Sequence, residues 1–174
     1  VYGQTKVTGE KLAKEYWENH NVDTRGIRYP GLISYKSPPG GGTTDYAVEI
    51  FHSAINHGHY EFFVKPDTRL PMLYMDDAIN ATLSLMDSPS KLLGKYRSGF
   101  NISGFSFTAQ ELAVKIAERI EGFTYSFAPD NRQKIADSWP DSIDDSVSRE
   151  EWNWHPKFDL DSMIDAMFDG IVGA

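Results

Sequence analysis

The chain has 174 residues, a formal net charge of −8 and no cysteine, with 40% hydrophobic and 13% aromatic residues. That length suits one domain or one and a fraction, and the apolar share can fill a core. The acidic balance argues against a nucleic-acid partner. The lack of cysteine removes disulfide and thiolate chemistry, and no apolar run approaches the roughly 20 residues that cross a bilayer.

Val1 opens directly into Tyr2-Gly3-Gln4-Thr5-Lys6, without a basic or apolar leader. A start inside such a motif reads as a truncation, a processed terminus or one piece of a larger protein. Residues 3–19 predict a helix, with Leu12, Ala13, Tyr16 and Trp17 at helical spacing and His20-Asn21 ending it. Residues 26–33 predict a buried strand broken at Pro30-Gly31, and Ser37 to Gly42 a Pro/Gly loop. Thr43, Thr44 or Asp45 caps the next helix, which places Tyr46, Ile50, Phe51, Ala54 and Ile55 on one side and stops at Gly58.

Residues 60–64 predict a short strand and 73–75 another. Asp76 or Asp77 starts a helix with Ile79, Leu83 and Met86 in line. Residues 100–103 predict a strand. Thr108-Ala109-Gln110-Glu111 is a capping box ahead of the apolar face Leu112, Ile116 and Ile120. Residues 124–128 predict a last strand, 129–148 a polar, turn-rich stretch with Asp144-Asp145 as solvated charge, and 160–171 a closing amphipathic helix. Helices alternate with strands, so the class is α/β. The strands are too few for a complete doubly wound sheet with a second layer.

Tyr2 and Lys6 lie four residues apart and so share one helix face. An ammonium there favours the phenolate over the phenol, which suits a base that takes a proton from an alcohol while hydride leaves the same carbon. The pair alone reads rather as two surface side chains, because Tyr-x-x-x-Lys is common by chance. Thr43 and Thr44 offer hydroxyls and N–H groups at a helix start, suited to a carboxylate or to simple capping. Arg69 reads as a contact for a diphosphate or as an ion pair with Asp67 or Asp76. Trp139 reads as a cover for a small substrate or as a core aromatic. Gly40-Gly41-Gly42 is not a dinucleotide fingerprint, because Asp45 stands where the third glycine is needed. The triplet suits a loop that moves. The five histidines lack metal-ligand spacing, so no metal is expected.

The order of Tyr2-x-x-x-Lys6, Arg28-Tyr29-Pro30-Gly31-Leu32-Ile33-Ser34, Pro38-Pro39-Gly40-Gly41-Gly42-Thr43-Thr44-Asp45-Tyr46, Lys65 to Met72 and Ile135-Ala136-Asp137-Ser138-Trp139-Pro140 resembles the C-terminal half of the extended short-chain dehydrogenases. This is the NAD-dependent epimerase/dehydratase family, and the motifs most resemble its L-threonine 3-dehydrogenases. The resemblance covers nearly the whole chain. It implies the C-terminal part of a Rossmann-like fold plus a small α/β substrate-binding lobe, with 1–36 and part of 73–103 on the dinucleotide side and 37–174 mainly in the lobe.

By position, the resemblance makes Tyr2 the base and Lys6 its partner and a ligand of the nicotinamide ribose. Tyr29, Pro30, Gly31, Leu32 and Ile33 pass the nicotinamide of NAD. Thr43, Thr44, Arg69 and Trp139 meet L-threonine, which is oxidised to 2-amino-3-oxobutanoate in the cytoplasm. A homodimer is implied. The Gly-rich turn of that family belongs to an N-terminal half, so the chain by itself is expected neither to bind NAD tightly nor to turn over. A nucleotide-sugar epimerase or dehydratase, and a non-catalytic binding or dimerisation module, are the competing expectations.

Overall fold

A computed structural model of the protein describes residues 1–173. Its first element is helix α1 (Tyr2–His20), which ends where Asn21 takes a left-handed conformation (φ 54°) and its N–H caps the Tyr16 carbonyl. No residue of α1 is buried. Its line of partial burial is Glu10, Ala13 and Trp17, at helical spacing along one face.

The stretch expected as one broken strand is two strands in two sheets. Strand β1 (Ile27–Arg28) runs parallel to β5 (Phe100–Asn101), and β2 (Gly31–Ile33) runs parallel to β4 (Arg69–Tyr74). Tyr29-Pro30 is the joint, and Pro30 has no N–H to continue either ladder. Helix α2 (Tyr46–His57) buries Tyr46, Ala47, Val48, Ile50, Phe51 and Ala54 and stops at Gly58 (φ 64°). Strand β3 (His59–Phe62) follows, one residue earlier than expected and parallel to β7 (Thr124–Phe127).

Strand β4 is six residues long, although 73–75 was the expectation; Pro71 inside it hides the strand signal. It is followed by α3 (Met75–Asp87). The apolar line read on α3 points outward: Ile79, Leu83 and Met86 are exposed, and Ala78, Ala81 and Leu85 are buried instead. Small residues let α3 pack closely, and composition alone hid them.

Strand β5 ends at Asn101, short of the expected Ser103. Strand β6 (Phe105–Thr108), which was not expected, pairs antiparallel with β4. The capping box at Thr108 and Glu111 forms as expected and opens α4 (Ala109–Ala117). The turn-rich stretch holds two short helices, α5 (Gln133–Ala136) and α6 (Ser146–Trp152), and the chain closes with α7 (Leu160–Val172). Asp145, expected in solvent, is buried and accepts from Arg149 and from the Trp154 indole at 3.1 Å.

Two apolar clusters result. The larger joins α2, α4 and α7 with Ile33, Phe62, Leu70, Met72 and Phe107; the smaller joins α3 with Leu73, Phe100, Ile102, Trp152 and Trp154. Asp77 links them: its carboxylate, 1% exposed, accepts at 3.0 Å from the N–H groups of Lys157 and Phe158 at the approach to α7.

Candidate active site

Tyr2 and Lys6 stand one turn apart at the start of α1, with the Lys6 ammonium 5.2 Å from the centre of the Tyr2 ring. Both border a cavity of about 500 Å³ whose far wall is Arg25 to Tyr29. Because α1 buries nothing, its place depends on three tethers along its half-buried line. Glu10 takes a two-bonded fork from Arg28 (2.7 and 2.5 Å). The Ala13 carbonyl accepts from the Thr24 hydroxyl at 2.7 Å. The Trp17 ring carries the Arg97 guanidinium, 3.4 Å from its centre. Arg97 is 1% exposed and is held in turn by Asp23, Ser90 and the Thr24 carbonyl. The Arg25 fork first, with Arg97 beside it, draws the Asp23 carboxyl down to about 2.

A second cavity of about 330 Å³ lies past the carboxyl end of β1, the end of a parallel strand where α/β sheets take ligands. Tyr29, Pro30, Gly31 and Leu32 line it together with Thr44, Pro71, Trp139, Pro140 and Ile143. Tyr29 borders both cavities. Its hydroxyl meets Thr82 Oγ1 at 2.5 Å, and Thr82 donates onward to the Ala78 carbonyl at 2.8 Å. Gly31 is a close approach: a Cβ there would stand 2.4 Å from Met72 Sδ and 2.8 Å from Thr44 Cγ2.

The expected site residues therefore divide. Tyr2, Lys6 and Tyr29 share the first cavity; Tyr29 to Leu32, Thr44 and Trp139 share the second. Ile33 lies in the core, and Thr43 lines neither cavity. Asp45 is the N-cap of α2 yet makes no side-chain capping bond. Its carboxylate turns back to Gly40 and Gly42 N–H (2.6 and 2.9 Å) and folds the glycine loop. Arg69 is committed to Glu111 (2.8 and 3.0 Å) and the Ser106 carbonyl, so its ion-pair partner is neither Asp67 nor Asp76. Trp139 is 42% exposed, which excludes a core role.

Thr82 and Ile143 were not foreseen, because no local pattern marks residues that meet across the fold, and Pro71 and Pro140 stood inside the quoted motifs without a role of their own. Glu10 carried a signal, its spacing of four from Lys6. Among the described residues no group of three or more His, Asp or Glu could hold a metal ion, and no helix is long and apolar enough to cross a membrane.

The curated relatives include proteins named as uncharacterized epimerase/dehydratases. One from Staphylococcus haemolyticus is 46% identical over 98% of this chain and 54% of its own length. Solved structures agree in fold: a monomeric L-threonine 3-dehydrogenase from a metagenome is 52% identical, with TM-score 0.93 over 98% of this chain and 55% of that one. An L-threonine dehydrogenase from Phytophthora infestans is 46% identical, with TM-score 0.95 over 99% and 55%. Over nearly its whole length the chain is similar to proteins of the extended short-chain dehydrogenase/epimerase type. It spans about half the length of the superfamily members that it matches. A UDP-glucuronic acid 4-epimerase from Bacillus cereus shares the superfamily fold at TM-score 0.74 and 18% identity. No family model matches the chain.

Proposed function

We propose that this chain supplies the base and the substrate lobe of an NAD-dependent L-threonine 3-dehydrogenase. The observation that carries the reading is the pair of cavities meeting at Tyr29, one holding Tyr2 and Lys6 and the other small, apolar and faced by Thr44 and Trp139. At about 330 Å³ the second is at the low end of ligand cavities, roughly 300–1,000 Å³. That suits an amino acid better than a nucleotide sugar. The fork between Arg69 and Glu111 favours the same side, because it leaves no free guanidinium for a diphosphate. The solved relatives named as L-threonine dehydrogenases support it.

The residues present fit the nicotinamide end of NAD. Pro30 offers no N–H to be left unpaired against a flat ring, Gly31 keeps the backbone close, and Lys6 can donate to a ribose hydroxyl. When bound, NAD supplies the hydride acceptor. The chain's own residues do the rest. Tyr2 Oη takes the proton of the substrate hydroxyl, and the Lys6 ammonium stabilises the phenolate that does so. The Thr44 hydroxyl orients the amino acid, and Trp139 with Pro140 excludes water over it. Arg69 braces β4 against β6 and α4 through the Ser106 carbonyl and Glu111, and Thr43 stays a candidate substrate contact beside Thr44. Residues 1–36 and part of 73–103 belong to the cofactor side in this reading, and the rest mainly to the substrate lobe. The reading implies a cytoplasmic homodimer.

The test is nicotinamide reduction when L-threonine and NAD are added to the intact native protein with its N-terminal half present. Turnover is expected, and Tyr2→Phe should lower kcat/KM by about 10²–10⁴, the usual contribution of a positioned base. No reduction with L-threonine, or reduction that survives Tyr2→Phe, would overturn the reading. Turnover of a UDP-sugar instead would favour the epimerase.

A further inference from the structure

Trp139 borders two cavities. One is the small cavity of Thr44 and Pro71. The other, of about 190 Å³, lies among Lys65, Asp67, Thr68, Arg69, Asp137 and Asp141. A side chain so exposed is placed by its backbone rather than by packing. That backbone leaves the end of α5: the Trp139 N–H donates to the Ala136 carbonyl at 3.0 Å, and the Ser138 hydroxyl to the Ile135 carbonyl at 2.6 Å. Yet α5 has four residues, too few to stand alone as a helix. It buries only Gln133 and Ala136, while Ile135 is exposed.

Gln133 supplies the hold that apolar burial does not. It is buried, and both ends of its amide are used. Its Oε1 accepts from the Lys65 N–H at 2.7 Å and from the Thr68 hydroxyl at 3.2 Å. Its Nε2 donates to Thr68 Oγ1 at 3.1 Å and to Asp137 Oδ1 at 2.6 Å. The turn that receives it is itself fixed. The Thr68 N–H donates to the Lys65 carbonyl, and the Thr68 and Pro66 carbonyls accept from Ala109 and Gln110 N–H at the start of α4. The start of α5 has separate holds, since the Asp130 N–H donates to the Phe63 carbonyl and the Arg132 guanidinium lies 3.2 Å from the centre of the Phe63 ring. The end toward Trp139 has the side-chain contact from Gln133 to Asp137. Beside it stands only the exposed pair of Lys65 and Asp137 at 3.8 Å, a kind that is worth little.

We propose that Gln133 is a positioning residue that, through Asp137, holds Trp139 over the small cavity and so sets the affinity for the amino acid. The inference rests on Trp139 as the cover of the substrate. The direction of the hydrogen bond is what matters. An ionised Asp137 can only accept, and the amide Nε2 can only donate. Gln133→Glu keeps the size and the acceptor for Lys65 but sets a second carboxylate against Asp137. The end of α5 then lifts and Trp139 loosens. Adding Asp137→Asn returns a donor to the pair from the other side, and the contact closes again.

The experiment is fluorine NMR of the intact native protein labelled with fluorotryptophan, with the Trp139 line assigned by Trp139→Phe. In Gln133→Glu the Trp139 line should shift and broaden, while the lines of Trp152 and Trp154 in the smaller apolar cluster stay. Gln133→Glu with Asp137→Asn should restore it. In turnover, Gln133→Glu should raise KM for L-threonine about three- to tenfold, the range of one hydrogen bond, with kcat and KM for NAD kept. The double variant should bring KM back. An unmoved Trp139 line, or a double variant as loose as Gln133→Glu, overturns the proposal. So does a loss in kcat and in cofactor KM alongside the amino acid KM, the mark of a merely structural bond. The fluorine measurement needs neither cofactor nor substrate, so it decides whether Gln133 places Trp139 even if L-threonine is not oxidised. If Gln133→Glu does not fold, Asp137→Ala removes the same contact, leaves Gln133 bound to Lys65 and Thr68, and should loosen Trp139 alike.

Discussion

Tyr29 is the residue at which the two cavities meet, and its hydroxyl is spent on Thr82 rather than on a ligand. Tyr29→Phe leaves Thr82 still donating to the Ala78 carbonyl, so no buried group is orphaned. The loss should be about 0.5–1 kcal/mol in a denaturant melt, with a several-fold rise in KM for the cofactor as the ring loosens. An unchanged KM would show that the ring does not shape the cofactor side. Gly31→Ala is the harsher change at the same wall. Its methyl has to displace Met72 and Thr44, which should cost about 1–3 kcal/mol and raise KM for the amino acid. That Tyr2 and Lys6 share a face of α1 was legible, because about four residues make one helix turn. Thr82 was not, since 53 residues separate it from Tyr29 and its hydroxyl faces the site only after α3 docks.

Elements whose signal is local were legible: α1, α2 with its Gly58 stop, the Thr108 box and α7. Elements that exist only by pairing were not. Strand β6 is four residues long and depends on β4 for its ladder, while Pro71 disguises β4 itself. The outward stripe of α3 shows a further limit: Ile79, Leu83 and Met86 satisfy helical period, but Ala78 and Ala81 are the residues small enough to meet the sheet. The caps carry measurable weight. Thr108→Ala should lower stability by ~1 kcal/mol, because Glu111 N–H loses its acceptor. Asp77→Ala should cost more, ~3 kcal/mol, because Lys157 and Phe158 N–H lose a buried acceptor and the approach to α7 comes loose. An Asp77→Ala melt within a few tenths of wild type, on the order of an ordinary surface change, would mean that α7 is held by its apolar face alone.

Across the whole molecule α1 is the weakly held part, and acid should release it first. Asp23 is drawn from 3.8 to about 2 by Arg25 and Arg97. A lowered folded-state value contributes stability that is complete above about pH 4 and is lost as pH falls toward 2. Amide exchange in α1 should therefore rise in that window before the core around α2 and α4 opens. Near neutrality the same helix presents Val7, Leu12 and Tyr16 to solvent, and α3 presents Ile79, Leu83 and Met86. Among the described residues strand β1 pairs with β5 alone, which leaves its other edge open. Apolar side chains and a free strand edge together are what a docking partner covers and what self-association exploits. Residues 1–174 produced alone should bind a hydrophobic dye and sediment as concentration-dependent oligomers. Replacing Leu12 and Leu83 by Gln should reduce both, while the core signals of Trp152 and Trp154 stay in place. A monomer that ignores the dye would mean that these side chains are at home in water. The tethers of Glu10, Ala13 and Trp17 would then be all the support that α1 requires.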